Sequence, residues 1–372
     1  MKKKILYLFS DTGGGHRAGA KSLINAIEEL YPGKYSQEMV DVFAECSGFL
    51  NIFAKMYSPV INYTPQLWGA LYYFLNNKKR LEQLEKIAKP LILKELTKLI
   101  KEKKPNVIVS VHPLVNHLTV QALKELNKKI PFIVMVMDPV TIHRAWVTPD
   151  PDLYIFATKE AKEFAIEYGL PSYKGKVIGL PVDPKFTKNQ QNKKILREKE
   201  GLDPNLFTIL IMGGGEGAGG IHKIVQAINY SKIKGQLIVI AGRNKKLKEK
   251  LEKETSKTRI PTKIYGFTDH VPKIMAQSDI IITKGGPGAI AEAIAISIPM
   301  IITSWLPGQE EGNIQFVKEN NLGYIQKDPE KIVKTIKELQ IPSSYTKIVN
   351  NIKRRKNKNA VFDIAANIAH YL

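Results

Sequence analysis

Short runs of consecutive apolar residues alternate with amphipathic stretches along almost the whole chain. Residues 5–9, 107–111, 132–137 and 153–157 are such runs in the first half, and 208–212, 237–241, 280–283 and 300–303 in the second. A strand buried on both faces has no polar side, so uniform apolar runs of this length predict parallel strands. Between them, residues 18–30, 81–103 and 221–231 carry helical patterns. Strand–helix alternation predicts parallel sheets with helices on both faces. Residues 179–194 break the rhythm with two prolines and a polar, basic stretch, a linker composition. Both halves open on strand, glycine-rich turn and helix. The expected fold class is therefore α/β, with two doubly wound domains facing each other, residues 1–182 and 183–354. A basic helix over about 355–372 is a candidate to pack back on the first domain.

The length of 372 residues agrees with two domains. One cysteine, Cys46, rules out an intrachain disulfide and a cysteine-rich zinc site, and it suits a reducing compartment. Lysine and arginine number 56 against 35 acids, a net charge of +21. The excess is spread over both halves, which suits an anionic membrane surface, a nucleic acid or a phosphorylated substrate, or reflects only a lysine-rich proteome. With no nucleic-acid reading motif, no such partner is expected. Residues 56–77 carry no charge, but Pro59, Asn62, Pro65 and Gln66 interrupt them, so no spanning helix is expected. Residues 49–75 hold eight of the chain's 31 aromatics, followed by Lys78, Lys79 and Arg80. That stretch suits a membrane interface, or a helical insertion packed on the core.

The first glycine turn is SDTGGGHRAGA, residues 10–20. Its glycines let a ligand approach the backbone, and the helix behind offers unpaired N–H groups and a positive dipole end. His16 stands at the helix start, where open parallel sheets bind ligands. It is a candidate general base, the plainer alternative being a polar cap residue. The second turn, MGGGEGAGG at 212–220, takes the equivalent place in the second half. Residues 215–220 match the dinucleotide pattern and 13–18 a looser form of it. Asp41 ends a second strand as a ribose-binding acid should, whereas the second half offers only AGRN at 241–244. A nicotinamide-dependent oxidoreductase stays open on that mixture, and a P-loop enzyme is excluded by the missing Walker A sequence. The third turn, TKGGPGAIAEAIA at 283–295, adds another helix N-terminus for a diphosphate. Glu292 behind it could accept hydrogen bonds from a ribose diol or simply favour the helix dipole. Gln309, Glu310 and Asn313 in LPGQEEGN suit sugar hydroxyls. Asp150-Pro-Asp152 resembles the D-x-D of some sugar transferases, but its flanking prolines mark a turn, and the histidines show no ligand spacing. No metal is expected.

In family order come SDTGGGHRAGA, SVHPL (110–114), the Asp138…His143…Trp146 spacing, GLPVDPKF, MGGGEGAGG, AGRN, YGF (265–267), ITKGGPGAIAEA and LPGQEEGN. Together they resemble the monogalactosyldiacylglycerol synthase and processive diacylglycerol glucosyltransferase family, over residues 5–320. That family is related to the peptidoglycan enzyme that transfers N-acetylglucosamine to a lipid. The resemblance implies a GT-B fold with an interdomain crevice, the acceptor on the N-terminal domain and the UDP-sugar on the C-terminal one. It also implies inverting transfer with no metal or cofactor, and monotopic attachment to the cytoplasmic leaflet.

His16 falls on the proposed catalytic base of that family. Gly14, Gly15, His112, Asp138, His143 and Trp146 fall on the acceptor side, joined by Tyr63 and Trp68 of the aromatic stretch. The donor side takes Gly214, Gly215, Glu216, Arg243, Gly266, Phe267 (where backbone groups meet uracil), Lys284, Gly286, Pro287, Gly288 and Glu292, the ribose acid. It also takes Gly308, the sugar-reading pair Gln309 and Glu310, and Asn313. Arg144, Ala145 and Val147 depart from the plant pattern around Trp146. No plant-type transit extension precedes the first strand, so a bacterial cytoplasmic enzyme, peripheral on the inner face of the cell membrane, is expected. GQEEGN sits closer to the galactose-using branch, which favours galactose over glucose. The expected partners are a UDP-hexose, diacylglycerol and anionic membrane lipids. Transfer to another lipid or polyisoprenoid acceptor, an NAD(P)-dependent oxidoreductase and a non-catalytic nucleotide-sugar sensor are the competing readings.

Overall fold

The computed structural model describes residues 2–10, 14–48, 52, 60, 64–148, 150–188, 192–215, 217 and 219–372. The predicted apolar runs form strands. β1 (Lys4–Phe9), β2 (Ser36–Asp41), β3 (Val107–Ser110), β4 (Phe132–Met135), β5 (Leu153–Phe156) and β6 (Gly175–Val177) make a six-stranded sheet in the order β2-β1-β3-β4-β5-β6. β7 (Thr208–Met212), β8 (Gln236–Ile240), β9 (Thr262–Tyr265), β10 (Ile280–Lys284), β11 (Met300–Ser304) and β12 (Gly323–Ile325) make a second, ordered β12-β11-β10-β7-β8-β9. Every pairing in both sheets is parallel. Central strands such as β3, β4, β7 and β8 are buried at every residue, which is why they carry no polar alternation.

Each sheet reverses its direction of winding once. In the first, the chain leaves β1 toward β2 on one side and builds β3 on the other. In the second, the reversal lies between β7 and β10. Loops leaving two such strands diverge, so the carboxyl ends of β1 and β3, and of β7 and β10, are where each sheet has room for a ligand.

The chain forms two compact units. One comprises Met1–Pro184, Leu306–Gly312 and Asn359–Leu372; the other comprises Lys185–Trp305 and Asn313–Lys358. The basic C-terminal stretch is two helices, Pro342–Arg355 in the second unit and Ala360–His370 in the first. Val361, Ile364, Ala365 and Ile368 of the last helix join Leu23 and Ile27 in the core of the first unit. The linker composition of 179–194 ends in structure: helix Lys193–Lys199 begins inside it. Arg197 fixes that helix to the second unit, donating to Gln277 O at 2.9 Å and pairing with Asp279 at 2.6 Å.

Candidate active site

In the first unit, Gly14 ends the glycine turn at φ +82°, a left-handed conformation that a side chain would strain. Helix Gly15–Leu30 starts directly after it, and His16 lies in its first turn. The N-cap residue, Gly14, offers no side-chain cap. Its Nδ1 lies 2.6 Å from Val111 O, just beyond β3. A carbonyl only accepts, so Nδ1 carries the proton, and in the neutral ring the lone pair falls on Nε2. His16 therefore spans the gap between β1 and β3 with its basic nitrogen set by the backbone. The His112 ring meets it edge-on at 4.6 Å, and Trp146 lies at 6.1 Å. Burial, and secondly the neighbouring His16, holds His112 well below the usual histidine pKa, so it stays neutral beside His16.

Behind Trp146 is a buried carboxyl. Trp146 Nε1 donates to Asp138 Oδ2 at 2.6 Å. Desolvation pushes Asp138 up to about 7; the Trp146 hydrogen bond opposes this, and the charge of Glu310 adds to it. His143 has a different task. Its Nδ1 accepts from Ala145 N at 3.1 Å and its Nε2 donates to Tyr72 O at 3.2 Å. Both nitrogens are thus engaged within the protein, and burial holds its pKa down to about 4. It ties loop 143–146 to helix Pro65–Leu75 as a neutral ring. Asp41 and the Asp150–Asp152 pair are likewise used locally. Asp41 caps helix Val42–Cys46, Asp152 accepts Phe132 N at 2.8 Å, and Asp150 meets Lys124 at 2.9 Å.

In the second unit, four loops converge at the carboxyl ends of β7, β8, β9 and β10. Gly215 O accepts Arg243 N at 2.8 Å. A Cβ at Gly214 would stand 3.4 Å from Lys284 Cε, and one at Gly215 would stand 3.1 Å from Arg243 Nη1. The Arg243 guanidinium lies 4.7 Å from the Phe267 ring centre, and Gly266 passes close to Gly242. Two cationic side chains thus flank a bare glycine backbone beside helix Pro287–Ile296, whose first residues Pro287 and Gly288 follow the cap Gly286. Glu292 lies half-buried in that helix. Asn313 is buried and donates to Gly285 O at 3.0 Å, holding the turn after β10. Tyr63 and Glu216 lie outside the described residues.

Gly242 sits at φ +62°, where a Cβ would collide with the carbonyl oxygens of Gly214 and Gly215. Gly242→Ala should therefore cost roughly 1–3 kcal/mol and displace both the glycine turn and Arg243. Thermal unfolding and a UDP titration would check this, and unchanged values for both would refute the packing argument.

Gly308, Gln309 and Glu310 lie in the segment 306–312, which belongs to the first unit. Glu310 is buried and accepts Leu306 N at 2.8 Å. Trp68 Nε1 donates to Gln309 Oε1 at 3.2 Å. The sugar pair read from the sequence is therefore housed with His16, in electrostatic reach of Asp138.

A family model for monogalactosyldiacylglycerol synthase matches residues 16–182, and one for the C-terminal domain of glycosyltransferase family 28 matches 208–368. Monogalactosyldiacylglycerol synthase 3 of Arabidopsis thaliana is 34% identical over 380 residues, covering 99% of this chain and 81% of that one. The chain belongs to the monogalactosyldiacylglycerol synthase family. The synthase of Spinacia oleracea is also 34% identical, over 97% of this chain and 71% of its own. Among solved structures, Acinetobacter baumannii MurG superposes with a TM-score of 0.60 at 13% identity, covering 99% of both chains. The UDP-GlcNAc 2-epimerase of Neisseria meningitidis, bound to UDP-GlcNAc, gives 0.63 at 14% identity over 99% of this chain and 100% of its own. These distant likenesses establish the GT-B fold, which transferases and epimerases share, so the chemistry must be argued from the site.

This glycosyltransferase of diacylglycerol glycolipid synthesis carries an exposed apolar stripe on helix Pro65–Leu75. Leu67, Leu71 and Phe74, at i, i+4 and i+7, are 61%, 44% and 53% exposed. Lys78, Lys79 and Arg80 are exposed just beyond it. Among the described residues no helix is long and apolar enough to cross a membrane. Sequence reasoning missed Ser304 and Trp305 at the end of β11. Ser304 Oγ lies 3.3 Å from a Cβ position at Gly219, and Trp305 packs on Gly285 under the Lys327 ammonium at 3.8 Å. Their signal was positional, because they follow the strand beside the reversal point.

Proposed function

We propose that this protein transfers galactose from UDP-galactose to the free hydroxyl of 1,2-diacylglycerol, with inversion, to give a β-galactosyldiacylglycerol. The observation that carries the reading is His16 held by Val111 O, with Nε2 as its basic nitrogen, at the reversal point of the first sheet. Nε2 takes the hydroxyl proton as that oxygen attacks the anomeric carbon from the face opposite UDP. The glycosidic C–O bond to the diphosphate breaks with its electron pair on the phosphate oxygen. Lys284, Arg243 and the N-terminus of helix Pro287–Ile296 are suited to take up that charge. Gln309 and Glu310 read the sugar hydroxyls.

The apolar stripe of helix Pro65–Leu75 and the basic residues after it suit an anionic bilayer surface, where diacylglycerol resides. Peripheral attachment to the inner face of the cell membrane accords with that chemistry. The test is turnover of UDP-galactose and UDP-glucose, side by side, on diacylglycerol in phosphatidylglycerol-containing vesicles. Transfer of galactose, with a β-linkage by NMR, is expected. Transfer of glucose in preference, an α-linked product, or no transfer despite bound UDP would overturn the reading.

A further inference from the structure

The exposed stripe of helix Pro65–Leu75 has an opposite side, and that side holds segment 306–312. Trp68 donates from Nε1 to Gln309 Oε1 at 3.2 Å, and the Tyr73 hydroxyl donates to Glu311 Oε2 at 2.5 Å. Gly69 is buried against Pro307, where a Cβ would come within 2.7 Å of the proline Cβ. Gly308, at φ +77°, lies under the Tyr72 ring, at 2.7 Å from its own Cβ position. The helix backbone at Gly69 and the aromatics Trp68, Tyr72 and Tyr73 therefore grip the segment along most of its length.

We propose that Trp68 is a positioning residue for donor-sugar recognition, acting through Gln309; this rests on the reading of Gln309 and Glu310 as sugar contacts. An indole N–H can only donate, so it selects the amide oxygen of Gln309 and turns the amide NH2 the other way. Gln309 then meets the sugar as a donor, in one orientation set by Trp68. Phenylalanine at position 68 would keep the ring packing and release the amide. The two sides of one helix thus join a bilayer-facing surface to the segment that distinguishes UDP-sugar from UDP.

The experiment is calorimetric titration of the full chain with UDP and with UDP-galactose, for wild type, W68F, Q309A and the double variant. The readout is the ratio of the two affinities, which isolates the sugar from the nucleotide. W68F is expected to lower that ratio roughly threefold to tenfold, the worth of one neutral hydrogen bond, with UDP affinity unchanged. The double variant should fall no further than Q309A alone, because the two residues act as one unit. Additive losses, or a W68F that weakens UDP and UDP-galactose alike, would assign Trp68 a merely structural role and overturn the proposal. A lowered ratio in Q309A with an unchanged one in W68F would overturn it while sparing the reading beneath. An unchanged ratio in Q309A would remove the sugar reading and the proposal together.

Discussion

His16→Ala will lower the turnover of sugar transfer to diacylglycerol by roughly a hundredfold to ten-thousandfold, the range for loss of a general base. UDP affinity should stay as in the wild type, because the residues read as holding the nucleotide belong to the second unit. The carbonyl of Val111 keeps the proton on Nδ1, so the side chain presents one basic nitrogen and does not alternate between tautomers. Alanine removes that nitrogen and leaves the Gly14 turn and the helix start intact. His16→Gln, which retains polarity but no base of comparable strength, should be similarly impaired. Steady-state transfer assays on diacylglycerol vesicles, paired with UDP titration, separate the two effects. Near-normal turnover in His16→Ala would remove the base assignment.

The second large effect is on stability. Asp138→Asn should become progressively more stable relative to wild type as pH rises from about 4 to about 7, and then keep a constant advantage. Burial raises the Asp138 carboxyl from 3.8 to about 7, so between those values the folded protein holds a proton that the unfolded chain has lost. The folded state then binds more protons, and stability falls as pH rises through that window. Asparagine has no proton to lose and can still accept from Trp146 Nε1. The difference amounts to up to about 4 kcal/mol at pH 8, taking 1.36 kcal/mol per pKa unit. His143 titrates in the same range with the opposite sign. Its pKa is lowered to about 4, so its contribution is complete above 6.5 and lost as pH falls toward 4. Because both proteins carry it, it cancels in the comparison. Chemical denaturation at a series of pH values gives the curves, and parallel profiles would refute the raised carboxyl.

The parts of the fold legible in the sequence were those whose burial forces a pattern. β3, β4, β7 and β8 lie in sheet centres, buried on both faces, so their polar residues Ser110, Thr208 and Gln236 stand only at strand ends. β6, β9 and β12 were not legible as apolar runs. They are edge strands of three or four residues (GKV, TKIY and GYI), half-exposed, with one neighbour each. The glycine turns could be read because a backbone that passes close to another backbone, as Gly242 does to Gly215, admits no side chain. Motif order pointed to the family from these same turns. What could not be read was side-chain partnership at long range. His143 matched a site spacing, but its Nε2 donates to the carbonyl of Tyr72, 71 positions away, a pairing only the tertiary structure creates. The bond from Trp68 to Gln309 joins residues more than two hundred positions apart, and no periodicity records it.

The helix Ala360–His370 has a consequence for how the protein is made. Its apolar face completes the core around Leu23 and Ile27, yet the ribosome delivers it only after the entire second unit. The second unit can fold during translation as a continuous stretch, apart from the short excursion of 306–312 into the first unit. The unit with His16 waits, with helix Gly15–Leu30 uncovered, until synthesis has passed residue 370. A polypeptide stalled or cleaved before that point would expose Ala20, Leu23 and Ile27 to chaperones and proteases. Truncated chains would thereby be marked for removal before they could accumulate.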